Sequence, residues 1–308
     1  MTISSVYIPF TIPDTDGLSL FVHHWDCEEP KAIVVIAHGM MEHAKRYADF
    51  AGVLNANAIT VFAPDHRGHG RTADETGLGL LGNDATWKDW IRNLDQVIKK
   101  AQEKYPDLPV FLLGHSMGSF IAQAYAATVD QPLQGLILSG TTEEPRFVTR
   151  CGMGLASMLM KVFGKHSSGK VTAFVAFFRF CKDIKSPKTV FDWITSDSNE
   201  LQLYINDPLC GQTPPASFFY ELFSLLNFVY DFSLLKTIPK ELPLFLYSGT
   251  KDPLSGNSKR VKSLATLYRQ LGHQVSETYY ENGRHEMHHE IAKDEVIRNV
   301  VRWIMLRI

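Results

Sequence analysis

VFLLGHSMGSFIAQAYAAT, residues 110–128, decides how the rest of the chain is read. Its first four residues form the continuous apolar run expected of a strand buried on both faces. Gly114-His115-Ser116-Met117-Gly118 follows at once, and residues 120–128 then read as a helix. The pentapeptide fits G-x-S-x-G, a pattern that composition alone yields in about one chain in ten of this length. Its setting is far more selective. A serine on a sharp strand-to-helix turn presents its hydroxyl at the edge of a sheet, and glycines beside it permit a turn that side chains would obstruct. The plainer reading of the same residues is a turn with a capping serine.

Outward from this point, short β-rich runs alternate with longer helical ones. Residues 7–12 and 18–25 look like a hairpin turning at Asp14-Thr15-Asp16-Gly17. Residues 33–37 (IVVIA) and 59–63 read as strands, with a helix near 45–55 between them. A helix over 84–103 places Trp87, Trp90, Ile91, Leu94, Val97 and Ile98 along one side. Strands at 135–138, 243–247 and 274–280 and helices near 257–271 and 291–306 complete the pattern. Such alternation implies an α/β fold with a mainly parallel sheet covered by helices on both sides. From 141 to 233 it stops, and the chain turns helical, aromatic and loop-rich without a Pro/Gly linker at either end. We expect residues 1–140 and 234–308 to form the core, and 141–233 a helical cap inserted over the sheet.

Reactive groups in such sheets collect on loops at the carboxyl ends of strands. A serine hydroxyl needs an adjacent base to act as a nucleophile. In a strand–turn–helix enzyme of this kind the acid and the histidine come later in the chain, in that order. Asp252, in Gly249-Thr250-Lys251-Asp252-Pro253, follows the strand near 243–247. His285, in Asn282-Gly283-Arg284-His285, follows the strand near 274–280. The expected catalytic set is therefore Ser116, Asp252 and His285. Asp252 could instead simply open a turn before Pro253, and Glu143 or Glu144, after the preceding strand, are alternative acids. His288 and His289 rival His285 but look like the start of the terminal helix. His285-Glu286-Met287-His288-His289 also fits H-E-x-x-H, yet the Asn282-Gly283 turn leaves no helical turn before His285, and no third ligand is evident. No metal is expected. Two backbone donors should complete the site as an oxyanion hole, the N–H of Met117 and, beyond Gly39, that of Met40.

The bulk numbers exclude other classes. The chain has 308 residues, 45% of them hydrophobic, enough for one large core with an insertion. A net charge of −2 gives no electrostatic reason to bind nucleic acid. Cys27, Cys151, Cys181 and Cys210 are widely spaced and read as thiols, not as a disulfide framework. The first residues carry no basic start or apolar run of signal length, and no apolar stretch reaches about 18 residues. The expectation is a cytoplasmic protein.

With these residues in view, the sequence resembles the monoacylglycerol lipase and lysophospholipase branch of the α/β-hydrolases. The matching pieces are His38-Gly39-Met40-Met41-Glu42-His43 with Arg46-Tyr47, Pro64-Asp65-His66-Arg67-Gly68-His69-Gly70, the segment around Ser116, Tyr204-Ile205-Asn206-Asp207-Pro208-Leu209, and the Asp252 and His285 loops. They occur in order and span nearly the whole chain apart from most of the insertion. The resemblance implies an esterase of single-chain acylglycerols or lysophospholipids that needs no cofactor. It also implies that Glu42 braces the oxyanion loop and that Tyr204 and His288 line the glycerol end of the pocket. Met40-Met41 departs from the small pair often found there, and bulky side chains at that point could narrow the site. In the insertion, apolar residues cluster at 153–163, 174–178 and 218–226. They would pack on the sheet, line an acyl channel or touch a membrane surface transiently. The runner-up reading is an esterase, thioesterase or aminopeptidase for small acyl substrates.

Overall fold

The structure, a computed structural model, describes residues 5–74 and 76–308. Its strands are β1 (Ser5–Tyr7), β2 (Phe10–Pro13), β3 (Ser19–Cys27), β4 (Ala32–Ala37), β5 (Ile59–Pro64), β6 (Val110–His115), β7 (Gly135–Ser139), β8 (Leu244–Gly249) and β9 (Val275–Tyr280). They form one sheet in the order β1-β3-β5-β4-β6-β7-β8-β9, with β2 also paired to β3. From β5 to β9 every pairing is parallel, while the N-terminal strands pair antiparallel on β3.

The helices that cover this sheet are α1 (Ala48–Asn55), α2 (Trp87–Lys104), α3 (Met117–Thr128), α9 (Lys259–Gln270) and α10 (Lys293–Met305). The continuous run of β4 divides by the twofold alternation of a strand. Ile33, Val35 and Ala37 enter the apolar cluster that includes α2, α3 and α9, and Val34 and Ile36 the opposite cluster with α1 and α10. Burying each such branched side chain contributes about 1.5–3 kcal/mol, so the run requires cover on both faces. The helix expected from residue 84 begins at Trp87, because the Asp89 carboxylate accepts the Thr86 N–H at 2.6 Å and caps the first turn there.

Three local expectations are corrected. The single strand over 7–12 is two, β1 and β2, on either side of Pro9, which has no N–H to give a ladder. The helix over 45–55 is a short 3₁₀ turn, Ala44–Tyr47, running into α1. His288 and His289 do not enter the terminal helix but lie in a 3₁₀ turn, Met287–His289, ahead of it.

Between β7 and β8 the chain forms α4 (Arg146–Phe163), α5 (Lys170–Phe177), α6 (Ser198–Asn206), α7 (Ala216–Val229) and α8 (Phe232–Leu235). Of their apolar residues, Phe218, Phe219, Leu222 and Leu225 join the core, while Met158, Val162, Phe163, Phe174 and Phe178 stand exposed. Among the described residues, no helix is long and apolar enough to cross a membrane.

Candidate active site

Ser116 occupies the step between β6 and α3, at the centre of the sheet. Its backbone sits at φ 51°, ψ −121°, a conformation that costs a non-glycine residue on the order of 1–3 kcal/mol. The surroundings impose it. The Ser116 N–H donates to the Ser139 carbonyl on β7 at 2.9 Å. A Cβ on Gly114 would collide with the backbone of Gly118 and Ser119, and one on Gly118 with the carbonyls of Ala37 and His38. The two glycines thus let α3 lie directly against the ends of β4 and β6.

Asp252 and His285 follow β8 and β9 and reach the same edge. Asp252 is fully buried, and its Oδ1 lies 3.1 Å from His285 Nδ1 while also accepting the Leu254 N–H at 2.9 Å. Asp252, and neither Glu143 nor Glu144, therefore holds the imidazole. Glu144 is instead paired with Arg260. Burial pulls the His285 pKa down, but the Asp252 carboxylate outweighs it, helped by Glu286 and Glu42, so the ring is held above its ordinary value. His285 Nε2 is buried without a hydrogen-bond partner among the described residues. Ser116 and His285 line one cavity, with no hydrogen bond between them; such bonds often tighten only when substrate is bound.

The His285 loop is fixed from the far side by the segment between α5 and α6. Glu286 donates its N–H to the Ile194 carbonyl at 2.8 Å, Arg284 Nη1 donates to the Asp192 and Thr195 carbonyls, and the Trp193 ring lies 4.8 Å from the His285 ring. His285 and His289 are divided between this loop and the 3₁₀ turn and share no helix face, so the geometry of a zinc-binding H-E-x-x-H helix is not formed.

The loop after β4 carries Met40. Glu42 braces it, with Oε1 accepting the Gly39 N–H at 2.6 Å and the Tyr47 hydroxyl at 3.0 Å. Arg46 joins Glu42 to Glu286. Tyr204 on α6 donates its hydroxyl to the Met41 carbonyl at 2.9 Å, and the Gly211 N–H donates to the same oxygen at 2.9 Å. Met41 itself has φ 60°, the left-handed region. Met117 is the first residue of α3, where a backbone N–H has no carbonyl within the helix to bond.

These residues surround a cavity of about 460 Å³. Gly39, Met40, Glu42, Tyr204 and Glu286 supply polar or backbone groups to its wall, and Leu155, Phe177, Phe219, Leu222, Phe223 and Leu226 apolar ones. Tyr204 lies in the wall of this cavity. His288 does not. Its Nε2 faces the Tyr247 hydroxyl at 2.5 Å, and its ring packs on Phe50 and Tyr47 beneath the site. Sequence reasoning missed Glu286, Trp193 and Arg284. Glu286, directly after His285, is the one the sequence could have flagged.

The family model described as "Serine aminopeptidase, S33" matches residues 28–292. The monoglyceride lipase of Rattus norvegicus is 28% identical over 96% of this chain and 89% of its own length. The monoglyceride lipase homolog of Monkeypox virus is 30% identical over 91% of each. Among solved structures, a thermostable carboxyl esterase from Bacillus coagulans in complex with glycerol superposes with a TM-score of 0.90 at 29% identity, covering 99% of both chains. The sheet order, the helical cover and these matches agree: the chain is a hydrolase of the serine aminopeptidase S33 family, in its monoglyceride-lipase-like branch of the α/β-hydrolases.

Proposed function

We propose that the protein cleaves monoacyl lipids, monoacylglycerols or lysophospholipids, through an acyl-enzyme formed on Ser116. The observation that carries this reading is a buried His285–Asp252 pair that leaves His285 Nε2 without a partner among the described residues, where His285 and Ser116 line one cavity whose wall is mostly apolar. His285 takes the Ser116 proton as the oxygen attacks the ester carbonyl, then delivers it to the departing alcohol. Asp252 holds the tautomer and stabilises the imidazolium. The N–H groups of Met40 and Met117 bind the developing oxyanion, each worth about 2.7–4 kcal/mol. A water repeats the sequence to release the fatty acid.

Residues 1–140 and 234–308 serve as the catalytic core and 141–233 as a cap carrying the acyl channel. Exposed Phe147, Val162 and Phe163 on α4, with Phe174 and Phe178 on and just after α5, are suited to brief contact with a lipid surface. Four unpaired thiols fit a reducing compartment, the cytoplasm.

Hydrolysis rates on a panel of monoacylglycerols of increasing chain length, lysophospholipids and short esters test the proposal, with Ser116→Ala as control. A preference for long chains is expected. A preference confined to acetyl or butyryl esters defeats the lipid reading. The family's description favours a second reading, release of N-terminal residues from small peptides, and aminoacyl anilides added to the panel decide between the two.

A further inference from the structure

Two groups of metal-ligating side chains lie close together outside the Ser116–Asp252–His285 set. In Glu42, His115 and Glu286, the Arg46 guanidinium already sits on both carboxylates and supplies the charge a metal would bring. In His43, Asp207 and Cys210, one ligand atom of each lies within 4.8 Å of the others, and among the described residues no lysine or arginine pairs with Asp207. His43 Nε2 faces Asp207 Oδ2 at 2.8 Å, and Asp207 Oδ1 accepts the Leu209 N–H at 2.9 Å, which fixes the carboxylate plane. The Cys210 N–H donates to the Asp207 carbonyl at 3.0 Å, closing a turn that brings the thiol to the same point. His43 and Cys210 are buried, while the Asp207 carboxylate, 30% exposed, opens a path from solvent.

We propose that His43, Asp207 and Cys210 form a site for one thiophilic divalent cation of the zinc class, and that its occupation acts on the oxyanion loop. Imidazole, carboxylate and thiolate are the donors such an ion prefers, with water as the fourth ligand. On binding, the Cys210 S–H loses its proton to solvent and the thiolate takes the metal. The His43 ring keeps one proton, which leaves Nε2 for Nδ1 so that the Nε2 lone pair can ligate, and Asp207 remains a carboxylate. One proton leaves for each ion that enters.

The link to the loop is short. Gly211, next to Cys210, donates its N–H to the Met41 carbonyl, and His43 stands two residues beyond Met41. An ion in place of the proton shared by His43 and Asp207 needs the two side chains to move apart, and Met40 lies between those attachments and Gly39.

The test uses the intact, chelator-treated enzyme. Zinc chloride is titrated by calorimetry in two buffers of different ionisation enthalpy, and cadmium chloride by the ultraviolet cadmium–thiolate absorption. One ion bound, one proton released, a thiolate band and a several-fold fall in kcat with a smaller change in KM are expected. Cys210→Ser should abolish the band and weaken binding at least about tenfold, and His43→Gln should weaken it comparably. Cys151→Ser, which removes the exposed thiol, should leave the band in place. Unchanged zinc affinity in Cys210→Ser, or a band lost with Cys151, overturns the site. An unchanged kcat at saturating zinc overturns its link to the loop.

Discussion

Arg46 grips the Glu286 carboxylate with both ends of its guanidinium, Nη1 to Oε1 at 2.9 Å and Nη2 to Oε2 at 2.7 Å. Glu286 is the residue after His285, so this buried pair ties the histidine loop to the loop after β4 through Arg46 and Glu42. It also places a negative charge where it favours the protonated imidazole. Glu286→Gln keeps the shape and removes the charge. We expect the acid limb of kcat/KM to move to lower pH, and stability to fall by about 3 kcal/mol because Arg46 loses a buried partner. Paired pH profiles and denaturation curves measure both. An acid limb that stays where it is in the wild type contradicts the electrostatic role.

The wild-type profile carries its own sign. The base must be neutral to take the Ser116 proton, and His285 is held above its ordinary value. Activity should therefore rise with pH through a midpoint above about 6.5, the value of an unperturbed histidine. A limb centred near pH 5 contradicts the assignment of His285.

Tyr204 is a positioning residue as well as part of the cavity wall. Its hydroxyl holds the Met41 carbonyl, and through it the backbone that presents Met40. Tyr204→Phe leaves the ring in place and frees that carbonyl. A fall in kcat of roughly tenfold is expected, since one misaligned oxyanion donor can cost more than that. A change confined to KM would assign Tyr204 to substrate binding alone.

The core was legible because its signals are local. The apolar runs, the G-x-S-x-G turn at Ser116 and the loops after β8 and β9 each follow from neighbouring residues, and chain order then fixes which side chains meet. Position along the chain also singled out His285 among twelve histidines. The contacts that finish the site are not local. Nothing near Trp193 or Ile194 indicates that their segment will pack on the His285 loop, nor does Arg46 reveal that Glu286, 240 residues away, will be its partner. His288 was misplaced for a related reason: it matches a motif position, but its ring turns under the sheet edge to meet Tyr247. The apolar residues of 141–233 could not be divided by sequence into core, channel and surface, because helices of that composition have apolar groups on more than one face.

Burial of histidines makes an independent prediction for stability. Burial lowers His24 and His38 to about 4 and His69 and His288 to about 3, and it holds His66 and His115 well below the ordinary value. All six are neutral in the folded protein and bind protons on unfolding once the pH falls below about 6.5. Their stability contribution is complete above that pH and is lost as the pH drops toward their folded values. The loss is about 1 kcal/mol per histidine over the first pH unit below 6.5. His285, shifted the other way, opposes this with a single group. Thermal melts should show Tm lower at pH 5.5 than at pH 7.5 by roughly ten degrees or more. Equal Tm values at the two pH values contradict the buried, neutral state of the cluster.

The proposed catalysis rests on the Ser116 hydroxyl, carried on the strained turn after β6 in the cavity wall. Incubation with a fluorophosphonate, followed by proteolysis and mass spectrometry, reads its reactivity directly. The account predicts one modified residue, Ser116, with labelling and ester hydrolysis both abolished in a folded Ser116→Ala variant. Hydrolysis that survives in that variant, or a label on any other side chain, would contradict it.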